Sequence, residues 1–409
     1  MDKKIVITGL SVIAPNGIGK LEFFKALKEG RSGVKSITRF DTNEFKAKLA
    51  GEVSDFKPED FLGAKVTRDL NRTTRFLCSA AKLALEDAHL TINDENTDQI
   101  GVCTGTTLSS LWNIAEFDKE VINDGPLFTN VALFPGTVVN AASSQVSILL
   151  NIQGFNATIS TGFTSSLQAL KYATDLIRSG RVKAVVLGAV ETLSLANFIG
   201  FYNLGFLAGI RGEEISCPFD KRRNGIILSE GAAVIIIEDE EYAKKRGANI
   251  LAEIKGVASY FDAYRMGKYQ PDAKGLKECM GDVLRKSHLK ASDIDYINAA
   301  GNSVGEQDKL ETSAIKEVFS RAAFKTPVTS IKSMIGEVFS ASGMLQLASA
   351  VASITESFIP PTINYRIKDP DCDLDYVVNT SREKKVNNVL INNLGPGGNN
   401  ASCIVSSYH

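Results

Sequence analysis

Short apolar runs of strand length alternate with helical repeats along this chain. That alternation restricts the fold to the α/β class. Ile5–Thr8 reads as a buried strand ending at Gly9, and Leu21–Lys28 as a short helix stopped by Gly30. Over Asp69–Ala88, Phe76, Ala80, Leu83 and Ala84 recur at helical spacing. Ile100–Thr104 reads as a strand running into Gly105. Ser165–Ser179 places Leu167, Leu170, Ala173, Leu176 and Ile177 on one helical face, closed by Gly180. Val182–Leu187 and the wholly apolar Ala232–Ile237 follow as strands. A second series then begins: Leu276–Ser287 helical, Tyr296–Ala299 extended, Asp308–Phe319 helical and Val328–Ser330 extended. It closes with a small-residue helix, Met344–Ser357, and the strands Val389–Asn393 and Ser402–Ser406. The two series share length and order, which points to an internal duplication. The boundary is expected near Ala248–Ala258, giving halves 1–250 and 251–409.

Composition excludes several function classes. With 409 residues, 44% hydrophobic and 23% charged, the chain has ample apolar surface to offset the entropy of folding. The 46 basic and 47 acidic residues leave a formal net charge of -1. No one-signed field is available to attract nucleic acid or an anionic membrane. The Lys221-Arg222-Arg223 run reads as a solvated turn. Six cysteines are scattered without a CxxC pair, so neither a metal site nor a redox dithiol is expected, and reduced thiols in a cytoplasmic setting are. The opening stretch is interrupted by Thr8, Gly9 and Ser11 and reads as a strand rather than a leader. No apolar run reaches bilayer-spanning length.

The segment from Ala157 to Ser166 carries the most chemical information. It reads strand, tight turn, helix, with small residues around the turn. Such an elbow lifts one side chain towards a helix N-terminus, where the dipole favours a thiolate and backbone N–H groups can hold an oxyanion.

This segment resembles the active-site motif of β-ketoacyl-acyl carrier protein synthases, and further segments match in order. Val6-Ile7-Thr8-Gly9 with Pro15 and Gly17 resembles that family's opening strand and loop. Pro218-Phe219-Asp220 with Arg223, Gly225, Glu230 and Gly231 resembles a second stretch, with Asn224 where Asp is usual. Ile359–Asn364 and Asn393–Asn399 match two more, and Pro396 stands where a gating phenylalanine is usual. The resemblance implies a thiolase-like fold, a duplicated five-layer α-β-α-β-α arrangement. The family's nucleophilic cysteine falls on Phe163, which has no ionisable atom. Its two catalytic histidines fall on Ala300 and Glu337. The chain's three histidines, His89, His288 and His409, lie far from these motifs in sequence. Nucleophilic and acid–base groups supply most of such chemistry, the latter about 10²–10⁴-fold each. The resemblance therefore implies no catalytic residues and no activity for this chain alone. Lys332, Asp308 and Glu311 match charged positions and are expected to be structural. Lys332 is expected to be at least partly buried and paired, with Glu337 five residues on as a partner that limits the cost of burial.

Family members without the cysteine are chain length factors, non-catalytic subunits paired with an active ketosynthase α subunit. The resemblance accordingly implies a heterodimer within a β-ketoacyl synthase complex of polyketide biosynthesis. It works with phosphopantetheine on a partner acyl carrier protein and binds no cofactor of its own. The pocket or interface residues are expected to be Leu108, Trp112, Phe117, Leu133, Phe134 and Pro396, with Trp112, the only tryptophan, as a bulky stop. Two other roles are compatible with the residues. One is a malonyl decarboxylase that primes synthesis, and the other a homodimeric scaffold that docks acyl carrier protein.

Overall fold

A computed structural model describes residues 3–68 and 70–409. The strands of the first half are β1 (Ile5–Ala14), β2 (Ile100–Gly105), β3 (Asn156–Ile159), β4 (Ala184–Glu191) and β5 (Gly231–Asp239). Those of the second are β6 (Ala252–Phe261), β7 (Tyr296–Asn298), β8 (Val328–Thr329), β9 (Asn388–Leu394) and β10 (Asn399–Ser406). The helices that matter most are α1 (Arg72–Asp87), α2 (Leu111–Asp124), α3 (Ser165–Arg178), α4 (Lys274–Ser287), α5 (Gly305–Phe319) and α6 (Ser342–Glu356). The helix expected from Asp69 begins at Arg72; Asp69 itself lies outside the described residues.

Strand order repeats. The first half runs β3-β2-β4-β5-β1 and the second β8-β7-β9-β10-β6. In each, the three strands farthest from the junction are mutually parallel and the fourth and fifth antiparallel. The halves join where Ile5, Val6 and Ile7 pair antiparallel with Ile254, Glu253 and Ala252. The stretch expected to hold a boundary is thus mostly strand, because β6 finds ladder partners on both sides, in β1 and β10.

Alternation along the strands explains the layers. In β5, Ala233, Ile235 and Ile237 face a cluster that contains Leu167, Leu170 and Ile177 of α3 and Met344, Leu345 and Leu347 of α6. The intervening Ala232, Val234 and Ile236 face a second cluster with Phe76, Leu77 and Ala80 of α1. In the second half, Val389 and Ile391 of β9 join the α3–α6 cluster, while Leu390 turns to Leu276, Met280 and Val283 of α4. The outcome is α-β-α-β-α, the thiolase-like arrangement, with α3 and α6 as the central layer. Every residue of α6 from Ser342 to Ser353 is buried, a helix enclosed on all sides by the two half-sheets and apolar or small nearly all round. Gly9 serves the same close packing: a Cβ there would lie 2.5 Å from the Ala88 backbone nitrogen at the end of α1.

Helix α2, the 3₁₀ segment Val131–Thr137 and the helix Ala141–Leu150 form an excursion between β2 and β3 that no apolar periodicity announced. Among the described residues, no single helix is long and apolar enough to cross a membrane.

Candidate functional site

The elbow forms as its small residues require. Strand β3 ends at Ile159, a single 3₁₀ turn spans Gly162–Thr164, and α3 starts at Ser165. Gly162 has φ +68°, a conformation that a residue with a Cβ rarely adopts. Ser165 closes the turn, its Oγ donating to Gly162 O at 2.7 Å and accepting from Thr161 N at 2.9 Å.

Phe163 sits at the apex, 7% exposed. Its ring meets Phe339 edge-on at 4.4 Å between centroids, and Phe201 lies 6.5 Å away. Phe201 in turn lies 5.5 Å from Phe339, which closes an aromatic triangle. A Cβ on Gly395 would fall 2.5 Å from Phe163 Cδ2, so the loop bearing Pro396 reaches the ring only because residue 395 is glycine. The apex is therefore packed on three sides. The sequence gives no periodic signal for Phe201 and Phe339, and only the fold brings them to residue 163.

Ala300 and Glu337 belong to two separate polar arrangements. The Ala300 and Gly301 N–H groups donate to Glu311 Oε1 and Oε2, both at 2.9 Å. Asn302 N donates to Asp308 Oδ1 at 3.0 Å, and Phe219 N to Asp308 Oδ2 at 2.9 Å. Burial raises the Asp308 pKa to about 6 against the pull of the nearby Arg223. It raises that of Glu311 to about 7 against its backbone donors. These carboxylates pin the 300–302 loop.

Glu337 accepts from Ser342 Oγ at 2.6 Å and lies 2.8 Å from Lys332 Nζ. The two side chains of that pair are 1% and 2% exposed, so the ion pair expected from the sequence is present and fully buried. The contact is Coulombic: neither Nζ nor Oε2 has a partner within hydrogen-bond geometry among the described residues.

Sequence reasoning missed Glu191, the last residue of β4, 2% exposed. It accepts from Thr107 N at 2.7 Å, Leu108 N at 3.0 Å and Ser340 Oγ at 2.5 Å. One carboxylate thus ties half-buried Leu108 to the loop that carries Phe339. Burial raises its pKa to about 7. A glutamate closing the apolar strand Ala184–Val190 was the available signal.

The remaining expected pocket residues are not gathered at the elbow. Trp112 is 43% exposed and lines two cavities with Arg39 and Leu193; neither Phe163, Ala300 nor Glu337 lines them. Helix α2 begins at Leu111, so Trp112 stands in its first turn. Phe117 and Phe134 meet at a tilt of 57° with centroids 6.0 Å apart, Leu133 is half-buried, and Phe134 is 59% exposed. All three histidines are exposed, and His89 and His288 adopt left-handed φ of +48° and +55° just past α1 and α4.

Comparison with known proteins gives this geometry a family. Residues 2–243 match the Beta-ketoacyl synthase N-terminal domain and residues 251–366 its C-terminal domain. The chain belongs to the β-ketoacyl synthase family. It is 38% identical over 407 residues to a 3-oxoacyl-[acyl-carrier-protein] synthase 2 of Coxiella burnetii, covering 99% of this chain and 98% of that protein. It is 33% identical to the tetracenomycin polyketide synthase ketoacyl synthase alpha subunit of Streptomyces glaucescens, covering 99% and 97%. Among solved structures, the ishigamide ketosynthase/chain length factor superposes with a TM-score of 0.94 at 32% identity over 100% of both chains. A type II polyketide synthase ketosynthase bound to its acyl-carrier protein and a hexaketide gives 0.90 at 30%, again over 100% of both. This ketosynthase fold therefore carries a phenylalanine at its elbow and no histidine nearby.

Proposed function

We propose that this β-ketoacyl synthase homologue is a non-catalytic chain length factor, pairing with a cysteine-bearing ketosynthase and shaping the pocket in which a polyketide chain grows. One observation carries the reading: Phe163 is locked between Phe339 and Gly395 at the apex where the family's nucleophile would stand. Phenylalanine offers no atom for a thioester, and its ring packs against Phe339 and Phe201. Ala300 and Glu337 remove the acid–base groups, and Lys332 engages the Glu337 carboxylate.

A partner surface supports the reading. Ile122, Leu127, Phe128 and Val131 are 80%, 91%, 80% and 81% exposed, all on the excursion between β2 and β3. An apolar patch of this kind marks an association surface. Strand β3, which follows this excursion in the chain, is an edge strand of the sheet, with ladder groups open to another chain. Acyl carrier protein is the expected second partner, since a structural neighbour binds one. The phosphopantetheine it carries would enter the partner's active site.

The test is tagged purification from the native host, with intact-mass analysis of what co-elutes. We expect a one-to-one complex with a similar-sized ketosynthase that has the cysteine and both histidines, and acyl groups on that subunit alone. A homodimer without such a partner overturns the reading and leaves the scaffold role. Malonyl decarboxylation by the isolated chain would make it a priming factor instead.

A further inference from the structure

Two solvent-open cavities meet at Arg39, Trp112 and Leu193, on the outer side of α2. The first, ≈ 310 Å³, is cationic, with Arg39, Arg72 and Arg75 in its wall. The second, ≈ 460 Å³, continues along Phe40, Ala115, Leu195 and Ile199, with Glu116 and Lys119 as opposite charges beside it. Cavities of roughly 300–1,000 Å³ are the usual size for small organic ligands.

Of the three arginines only Arg72 is neutralised from within, by the buried Glu230. Arg72 spends Nε and Nη2 on Glu230 and on Val53 O. The Glu230 carboxylate is further occupied by Val53 N and Leu193 N. Arg75 gives Nε to Thr67 O at 3.1 Å. Glu52, the other nearby acid, is held by Thr38. Arg39, an exposed side chain, has no hydrogen bond or ion pair among the described residues. Arg39 and Arg75 line the same cavity with no carboxylate bonded to either, and guanidinium donors left open in this way attract an anion. The arginine end calls for a carboxylate, which matches the planar fork of arginine. The continuation past Trp112 calls for an apolar tail.

We propose that the joined cavities bind an amphiphilic carboxylate, with its head on Arg39 and Arg75 and its tail along Trp112, Ala115 and Ile199. None of its residues lies at the elbow, and it shares Trp112 with the pocket or interface expected of a chain length factor. It would hold a free organic acid, not a thioester.

Equilibrium dialysis of labelled decanoate against the full-length protein, in whatever assembly it purifies, tests this. Decanol and inorganic phosphate serve as competitors. Saturable decanoate binding is expected, displaced by unlabelled decanoate far better than by either competitor. Arg39→Gln, a change at an exposed side chain, should weaken it about tenfold or more, the scale of one charge-assisted hydrogen bond. Ala115→Trp, which fills the tail groove from an exposed position, should weaken it independently. No saturable binding overturns the proposal. Competition by decanol or phosphate equal to that by decanoate overturns it as well, as does parental affinity in either variant.

Discussion

Glu337 and Lys332 meet at 2.8 Å in the interior, 1% and 2% exposed. An ion pair so placed adds little net stability, but losing one partner strands the other charge. Glu337→Ala should therefore destabilise the protein by about 3–5 kcal/mol, read as a lowered urea midpoint. The double change Lys332→Met with Glu337→Gln should recover most of that loss, because no buried charge is left over. Equal destabilisation in the single and double variants would show that Glu337 matters through packing instead. At the same scale, three neighbours built to fit fix Phe163. Glycine at 395 admits the ring, and Phe339 and Phe201 flank it.

At the scale of elements, Glu191 joins the end of β4 to the Thr107–Leu108 turn and to the loop before α6. Burial raises its folded-state pKa to about 7, above the value of a solvated glutamate in the unfolded chain. Between those two values the folded state holds more protons than the unfolded one, so stability falls as pH rises. The contribution is fully present below the unfolded value and lost as pH passes the folded one. Glu311 at about 7 and Asp308 at about 6 act in the same direction. Urea midpoints should thus drop between pH 5 and pH 7.5, and Glu191→Gln should remove part of that slope. A slope unchanged by Glu191→Gln would assign the titration to the other two carboxylates.

At the scale of the whole molecule, two repeated half-sheets share one central layer, since α3 and α6 belong to a single apolar cluster with strands of both halves. Neither half encloses a complete core alone. The excursion from Leu111 to Leu150 is the exception to this economy, because it carries large apolar side chains into solvent. Leu127→Asp with Phe128→Asp should weaken association, read by light scattering as a fall towards single-chain mass. The circular dichroism spectrum should hold, because neither side chain supports the core. Unchanged mass would move the interface elsewhere on the surface.

The sequence by itself determined the α/β class, the repeated series and the places of most strands and helices, because periodicity is a local signal, although β1 runs through its expected stop at Gly9 to Ala14. It also determined which side chains occupy the elbow and the two histidine positions, and it placed Glu337 within reach of Lys332. Tertiary structure alone decided what those residues touch. Phe201, Phe339 and Gly395 are distant in sequence from Phe163, and no local pattern pairs them. Glu191 looked like the end of a strand until the fold brought Leu108 and Ser340 to it. Trp112 offered no local sign of its neighbours, and the fold sets it in a cavity wall with Arg39 and Leu193. Contacts across layers depend on how sheets and helices stack, and stacking is a property of the complete core, not of any one segment.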